Sequence, residues 1–199
     1  MAIIAGGFVI VRFLYKIFYA KLDLGMDDWF VLATMIAAIP SAIITVHGMT
    51  SNGMGRDIWT LTPTQITKVL RYFYIMAWLY FTQVTLLKLT IISFYMRIFP
   101  AKPVRRVLWG TFIFTVLWGT AFVLTAIFQC RPIHYFWTKW DGMHEGTCVS
   151  TDKLSWSNAS INIALDLWIL GVPLWQLREL HLHWKKKIGV AFMFCIGTL

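Results

Sequence analysis

Continuously apolar blocks follow one another along the chain, separated by short polar segments. A helix needs about 20 apolar residues to cross the hydrocarbon layer of a membrane. No block alternates apolar and polar residues as the strands of a membrane barrel do. The pattern therefore predicts an all-α protein, a polytopic bundle of transmembrane helices. Its six blocks are residues 2–20, 29–46, 69–99, 107–129, 156–177 and 188–199.

The two ends of this pattern indicate a fragment of a longer chain. The block 188–199 is only 12 residues long, which is too short to cross a membrane, so we expect later residues to complete it. The block 2–20, interrupted by Arg12 and Lys16, could begin before Met1. We predict one transmembrane domain over residues 1–199, with six visible spans and seven in the full chain.

Lysine and arginine cluster in two turns, which predicts the orientation of the bundle. Because basic residues are retained on the cytoplasmic side, we place the turns 97–106 and 178–187 in the cytoplasm. By alternation, the N-terminus and the loops 47–68 and 129–155 lie outside a multi-pass protein of the plasma membrane. Each turn holds four basic residues: Arg97, Lys102, Arg105 and Arg106 in the first, and Arg178, Lys185, Lys186 and Lys187 in the second.

The composition narrows the classes of function. Hydrophobic residues make up 58% of the chain and charged residues 14%, against about a quarter charged in soluble domains. The net charge is +9, but the basic residues stand beside apolar blocks, a pattern typical of contact with anionic lipids at the cytoplasmic face. We therefore expect a lipid bilayer as the partner and no nucleic acid. No catalytic triad, paired carboxylates or metal-binding cluster is apparent, so we predict no enzyme, no cofactor and no metal site.

Cys130 and Cys148 both fall in the second predicted external loop. An oxidising exterior favours a disulfide between them, which would stabilise the fold by roughly 3 kcal/mol in the chain-entropy account of loop closure. The alternative is two free thiols. Cys195, in the last block, is expected to be a small packing residue.

Lys88 and Asp166 are isolated charges inside apolar blocks. Helical rise puts Lys88 about 13 Å from Arg97 and Asp166 about 18 Å from Arg178, so their depths differ by about one turn. A charge near the bilayer midplane tends to pair and to face the bundle interior, and we hypothesise a Lys88–Asp166 ion pair. In the alternative, Lys88 reaches the cytoplasmic interface and Asp166 is neutral or hydrated.

Polar side chains recur along the fifth predicted span. Asn158, Asn162 and Asp166 stand four residues apart and so form a stripe along one helix face. The stripe could line a water-filled or ligand-admitting cavity, or its amides could only bond to neighbouring helices; both interpretations stay open. The segment Asn158-Ala159-Ser160 also fits the glycosylation sequon.

Small residues and prolines mark special positions in the other spans. Thr111, Thr115 and Gly119 recur every fourth residue in the fourth block and predict a close contact between helices. Pro40 and Pro173 lie inside predicted spans, where membrane helices tolerate the resulting kink.

Short motifs follow one another along the chain in a characteristic order. They are Asp27-Asp28-Trp29, Gly53-Met54-Gly55-Arg56 with Ile58-Trp59, Lys88 with Phe94-Tyr95-Met96-Arg97-Ile98-Phe99, Cys130-Arg131-Pro132-Ile133 with Trp137 and Cys148, and Asp166 with Pro173 before the basic turn and Ile188. In this order the chain resembles the fungal rhodopsin-domain family of integral membrane proteins. The resemblance implies a seven-helix protein similar to G-protein-coupled receptors, but the shape does not imply a chromophore. Where the family commonly has a histidine after the glycine pair, this chain has Asp57, so no proton or metal role is expected there.

The predicted topology and the resemblance together favour a receptor-like protein. It would sense a small extracellular ligand and signal to a G protein through its cytoplasmic basic residues. The coupling candidates are Arg97, Arg105, Arg106, Lys185, Lys186 and Lys187. The alternative is a membrane transporter or channel, because intramembrane ionisable residues also mark substrate pathways, although no internal repeat common in transporters is visible.

Overall fold

A computed structural model of the chain describes residues 2–16, 25–99 and 101–179. Most of these residues are helical, which confirms the all-α class. They also include one two-stranded antiparallel sheet. The helices are α1 (Ala2–Leu14), α2 (Met26–Ile43), α3 (Pro63–Ile98), α4 (Lys102–Ile127), the short α5 (Tyr135–Thr138) and α6 (Thr151–Glu179), and the strands are β1 (Cys130–Arg131) and β2 (Thr147–Cys148). A π-helix, Ile44–Thr50, continues α2, and the segments Ile58–Thr60 and Lys139–Asp141 form 3₁₀ turns.

Among the residues described, three helices are long and apolar enough to cross a membrane: Met26–Thr50, Pro63–Ile98 and Lys102–Ile127. They confirm the second, third and fourth predicted spans. The fifth block lies in α6, a continuous helix of 29 residues whose amide and acidic side chains lower its hydropathy. The first block is described only as far as Lys16, and the sixth lies outside the described residues, so six spans, a seventh and a single domain stay predictions.

The chain divides into two compact units. The first comprises Met1–Phe94 with Thr111–Val149 and contains α2, most of α3 and α4, and the sheet. The second comprises Tyr95–Gly110 with Ser150–Leu199 and contains α6. The contacts described below lie within one unit or the other.

Within the first unit, α3 and α4 pack closely where a glycine faces a threonine. A Cβ atom added to Gly119 would lie only 2.3 Å from Cγ2 of Thr85, so only glycine allows this approach. Thr111 and Thr115 are buried on the same helix. The contact predicted from the small residues of the fourth block is thus confirmed.

Replacing Gly119 by alanine should therefore lower the free energy of unfolding by about 1–3 kcal/mol, the usual cost of overpacking a tight contact. The measurement is thermal unfolding of the protein in detergent. Gly110 is the matched control on the same helix, because a Cβ there meets nothing within 4 Å. Gly110→Ala should be neutral or stabilising by up to about 1 kcal/mol, since alanine favours helix; equal losses from both changes would contradict the contact.

Candidate functional site

The candidate functional site of the first unit is the segment 128–150, here called the disulfide loop. Cys130 and Cys148 are joined by a disulfide, with their Cα atoms 4.1 Å apart, which confirms the predicted bridge. The two cysteines also face each other in the β1–β2 ladder. The Val149 N–H donates to the Gln129 carbonyl at 2.8 Å and closes the base of the loop.

Side chains of α3 hold the disulfide loop against the first turns of that helix. The Trp140 Nε1–H donates to Thr67 Oγ1 at 3.1 Å, and the Arg71 guanidinium lies 5.8 Å from the Trp137 ring centroid, within reach of a cation–π contact. The Tyr74 hydroxyl donates to the Ile127 carbonyl at 2.7 Å at the end of α4. The disulfide loop and the segment that precedes α3 therefore emerge at the same end of the helices, as the predicted alternation requires.

An aromatic cluster forms the inner surface of the disulfide loop. The Tyr74 ring centroid lies 5.5 Å from that of Phe136 and 5.7 Å from that of Trp137, the spacing of favourable aromatic pairs. Phe136 is buried, although the loop around it is largely exposed. The loop is thus packed against α3 through Phe136, although most of its other residues are exposed.

The charged tip of the disulfide loop is organised by Asp141. Its carboxylate accepts from the Met143 N–H at 2.9 Å and lies 3.1 Å from the His144 ring nitrogen. These hydrogen bonds, the first of them to the backbone, lower the pKa of Asp141, because they favour the ionised form. The His134 ring lies 6.5 Å from that of His144. In the part of the chain that the structure describes, no three histidine, cysteine, aspartate or glutamate side chains are placed to hold a metal ion.

The glycine pair of the motif Gly53-Met54-Gly55-Arg56 shapes the segment before α3. Both glycines have φ of +91°, a conformation that other residues rarely adopt. A Cβ on Gly53 would also lie 2.4 Å from Leu61 Cδ2. Asp57, which follows the glycine pair, is exposed just before the 3₁₀ turn Ile58–Thr60. Backbone conformation and packing thus explain why glycines stand at these two positions, independently of any ligand.

Lys88 is buried in α3 with 4% of its surface exposed, in agreement with the expectation that it faces the protein interior. Asp166 lies exposed on α6, in the other compact unit. Since the two residues belong to different units, the Lys88–Asp166 ion pair stays a prediction.

Exposure changes along the predicted polar stripe of α6. Asn158 is 4% exposed, Asn162 is half-buried and Asp166 is exposed. The reason is geometric: at 3.6 residues per turn, each step of four residues rotates the side chain by about 40°, so the stripe winds away from the buried face. Because Asn158 is buried within a helix, it is a poor acceptor for glycosylation.

Sequence reasoning missed an ion pair between Lys16, two residues after the end of α1, and the start of α2. The Lys16 ammonium lies 2.7 Å from both carboxylate oxygens of Asp28 and 3.6 Å from Asp27. Asp28 also accepts from the Gly25 N–H at 3.1 Å and so caps α2. Both acids are buried. The available signal was a lysine interrupting the first block shortly before two acids that open the second.

The turn between α3 and α4 presents the predicted basic surface. Arg97, Arg105 and Arg106 are all exposed, so they are accessible to a partner. The other three coupling candidates, Lys185, Lys186 and Lys187, lie outside the described residues. A coupling role stays a prediction for all six.

Comparisons with known proteins give one family match and several relatives. The family model of the fungal rhodopsin domain matches residues 11–199. Satratoxin biosynthesis SC1 cluster protein 4 of Stachybotrys chartarum is 32% identical over 121 residues, which are 60% of this chain and 44% of that protein. A SAT4 family membrane protein of Emericella nidulans is 27% identical over 161 residues, 78% of this chain and 41% of that protein. No solved structure matches the chain.

A further relative extends the similarity over most of the chain. Polyenoic acids biosynthesis gene cluster protein Ba17b of Metarhizium anisopliae is 24% identical over 182 residues, 90% of this chain and 49% of that protein. The chain therefore spans less than half the length of each of these curated relatives.

Proposed function

The chain belongs to the fungal rhodopsin domain family, and from that premise we propose that it is a receptor-like integral membrane protein. It senses a small extracellular ligand at the disulfide loop and signals through its cytoplasmic basic turns. In this proposal the N-terminus lies outside the plasma membrane, and a G protein is the cytoplasmic partner.

The observation that carries the proposal is the disulfide loop held on α3. A covalent bridge, the Trp140–Thr67 hydrogen bond and the aromatic contacts of Tyr74 fix one conformation of this loop. A preorganised loop binds a ligand at a lower entropy cost than a mobile loop does. Such a loop suits recognition of a small molecule from the outside.

The names of the relatives suggest a class of ligand to test first. Two of them are named for biosynthesis clusters, of satratoxin and of polyenoic acids. We infer that the ligand is a product of a fungal biosynthesis cluster, an organic molecule with a large apolar part. The disulfide loop offers exposed apolar side chains to such a molecule, those of Ile133, Trp140 and Met143.

The proposal is tested with the full-length protein co-expressed with a fungal G protein. Satratoxin and a polyenoic acid are added separately, and guanine nucleotide exchange is measured. If the protein is a receptor, one of these ligands accelerates nucleotide exchange. The double change Arg105→Gln with Arg106→Gln then slows the stimulated exchange roughly three- to tenfold, as loss of charges at an interface rim does.

The matched control for the basic turn is Lys153→Gln, an exposed basic residue that follows the disulfide loop in the chain. It should leave exchange unchanged. If neither compound accelerates exchange, but either one crosses the membrane of liposomes that contain the protein, the transporter alternative replaces the receptor. The buried Lys88 makes that alternative physically reasonable, because ionisable residues in spans mark substrate pathways.

A further inference from the structure

Pro40 lies inside helix α2, close to its C-terminal end. Proline has no N–H, so the Ile36 carbonyl lacks its usual helical donor, and the ring pushes against the preceding turn. The next turn is also irregular: the Ile44 N–H points to both the Pro40 and the Ser41 carbonyls. Residues 36–44 therefore lack part of the regular backbone hydrogen bonding of this helix.

A side chain of α3 compensates for this interruption. The Gln83 amide nitrogen donates to the Ala37 carbonyl at 2.9 Å and to Ser41 Oγ at 2.5 Å. These two acceptors flank Pro40 on the helix, so one amide bridges the residues before and after the break. A glutamine inside an apolar span is costly to bury unless its hydrogen bonds are made.

Beyond the break, α2 continues as the π-helix Ile44–Thr50. Side chains supplement its backbone here: Thr45 Oγ1 donates to the Ser41 carbonyl at 2.8 Å, and Thr50 Oγ1 donates to the Thr45 carbonyl at 2.9 Å. Single π-turns mark places where a helix can change its winding, and they are frequent at functional sites.

The two halves of α2 are held by different contacts. The first half is anchored at its start by the buried Asp28–Lys16 pair. The second half rests on α3, where a Cβ on Gly48 would lie 3.0 Å from the Tyr72 ring and Thr45 Oγ1 lies 3.9 Å from Met76 Sδ. The hydroxyl–sulfur contact is a weak hydrogen bond, because a thioether is a weak acceptor. Among the described residues, the shorter polar contacts of this part of the chain with α3 are those of Gln83.

We propose that Pro40 is a hinge and that Gln83 is its latch. While the Gln83 amide is hydrogen-bonded to Ala37 and Ser41, the segment 41–50 lies against α3. When these hydrogen bonds break, the segment rotates away from α3 about Pro40. The segment leads directly into the glycine turn before α3, at the end where the disulfide loop lies. The hinge thus sets the width of that end of the first unit, whatever ligand the protein binds.

The test is amide hydrogen exchange of the full-length protein in lipid nanodiscs, with no ligand present. Gln83→Leu should speed exchange of residues 44–52 roughly five- to tenfold, because two intramembrane hydrogen bonds are lost. Ser41→Ala removes one of them and should give about a two- to threefold increase. Thr82→Val is the matched control, since the Thr82 hydroxyl bonds only within α3, to the Trp78 carbonyl at 2.8 Å, and should leave the segment unchanged.

A double-mutant cycle separates a latch from a general packing role. Pro40→Ala restores the missing backbone donor, so Gln83→Leu in that background should speed exchange by no more than about twofold. An equal effect of Gln83→Leu with and without Pro40, or faster exchange spread through residues 112–126 of α4 as well, overturns the hinge. Because no ligand is used, this result stands apart from the outcome of the receptor test.

Discussion

Replacing Asp28 by alanine is expected to lower the free energy of unfolding by about 3 kcal/mol, at the lower end of the cost of breaking a buried ion pair. Asp28 is 1% exposed, and both of its carboxylate oxygens lie 2.7 Å from the Lys16 ammonium. Alanine leaves that ammonium facing Asp27 at 3.6 Å and removes the acceptor of the Gly25 N–H. The cost therefore includes the cap of α2, and it is measured by thermal unfolding in detergent.

Two further variants check the reason for this loss. Asp28→Asn keeps an oxygen that can cap the helix and accept from the Lys16 ammonium, which still faces Asp27 at 3.6 Å, so part of the stability should return. Asp57 is exposed, and Asp57→Ala should change stability by less than about 0.5 kcal/mol. If Asp28→Asn is no more stable than Asp28→Ala, the oxygens of this side chain are not the source of the loss.

Replacing Cys148 by serine should lower the free energy of unfolding by about 3 kcal/mol. Without the bond between these residues, 18 apart in the sequence, the unfolded chain regains conformational entropy. The measurement is unfolding of the wild type and the variant, each with and without reductant. Reductant should bring the wild type to the level of the variant and leave the variant unchanged.

Cys195→Ser is the control for the disulfide, since that residue is predicted only to pack. It should unfold close to wild type and remain sensitive to reductant. Cys130→Ser should match Cys148→Ser, and the double change should add nothing further, because one bond is lost in each case. A Cys148→Ser protein as stable as the wild type contradicts the predicted contribution.

The amino-acid sequence alone was sufficient to predict features that depend on short stretches of chain. A membrane crossing needs one apolar run of about 20 residues, so the sequence was enough to locate the spans now seen as α2, α3 and α4. Motif order identified the family, and the placement of Cys130 and Cys148 in one loop indicated their bond. The buried side of α4 followed in the same way from the spacing of Thr111, Thr115 and Gly119.

Contacts between helices were decided only by the tertiary structure. That Lys16 reaches Asp28, that Gln83 bridges the break at Pro40, and that Trp140 meets Thr67 depends on how each helix is rotated and how deeply it is set. An apolar block has hydrophobic residues all round, so its pattern contains little information on rotation. For the same reason the stripe from Asn158 to Asp166, regular in the sequence, turns from buried to exposed along α6.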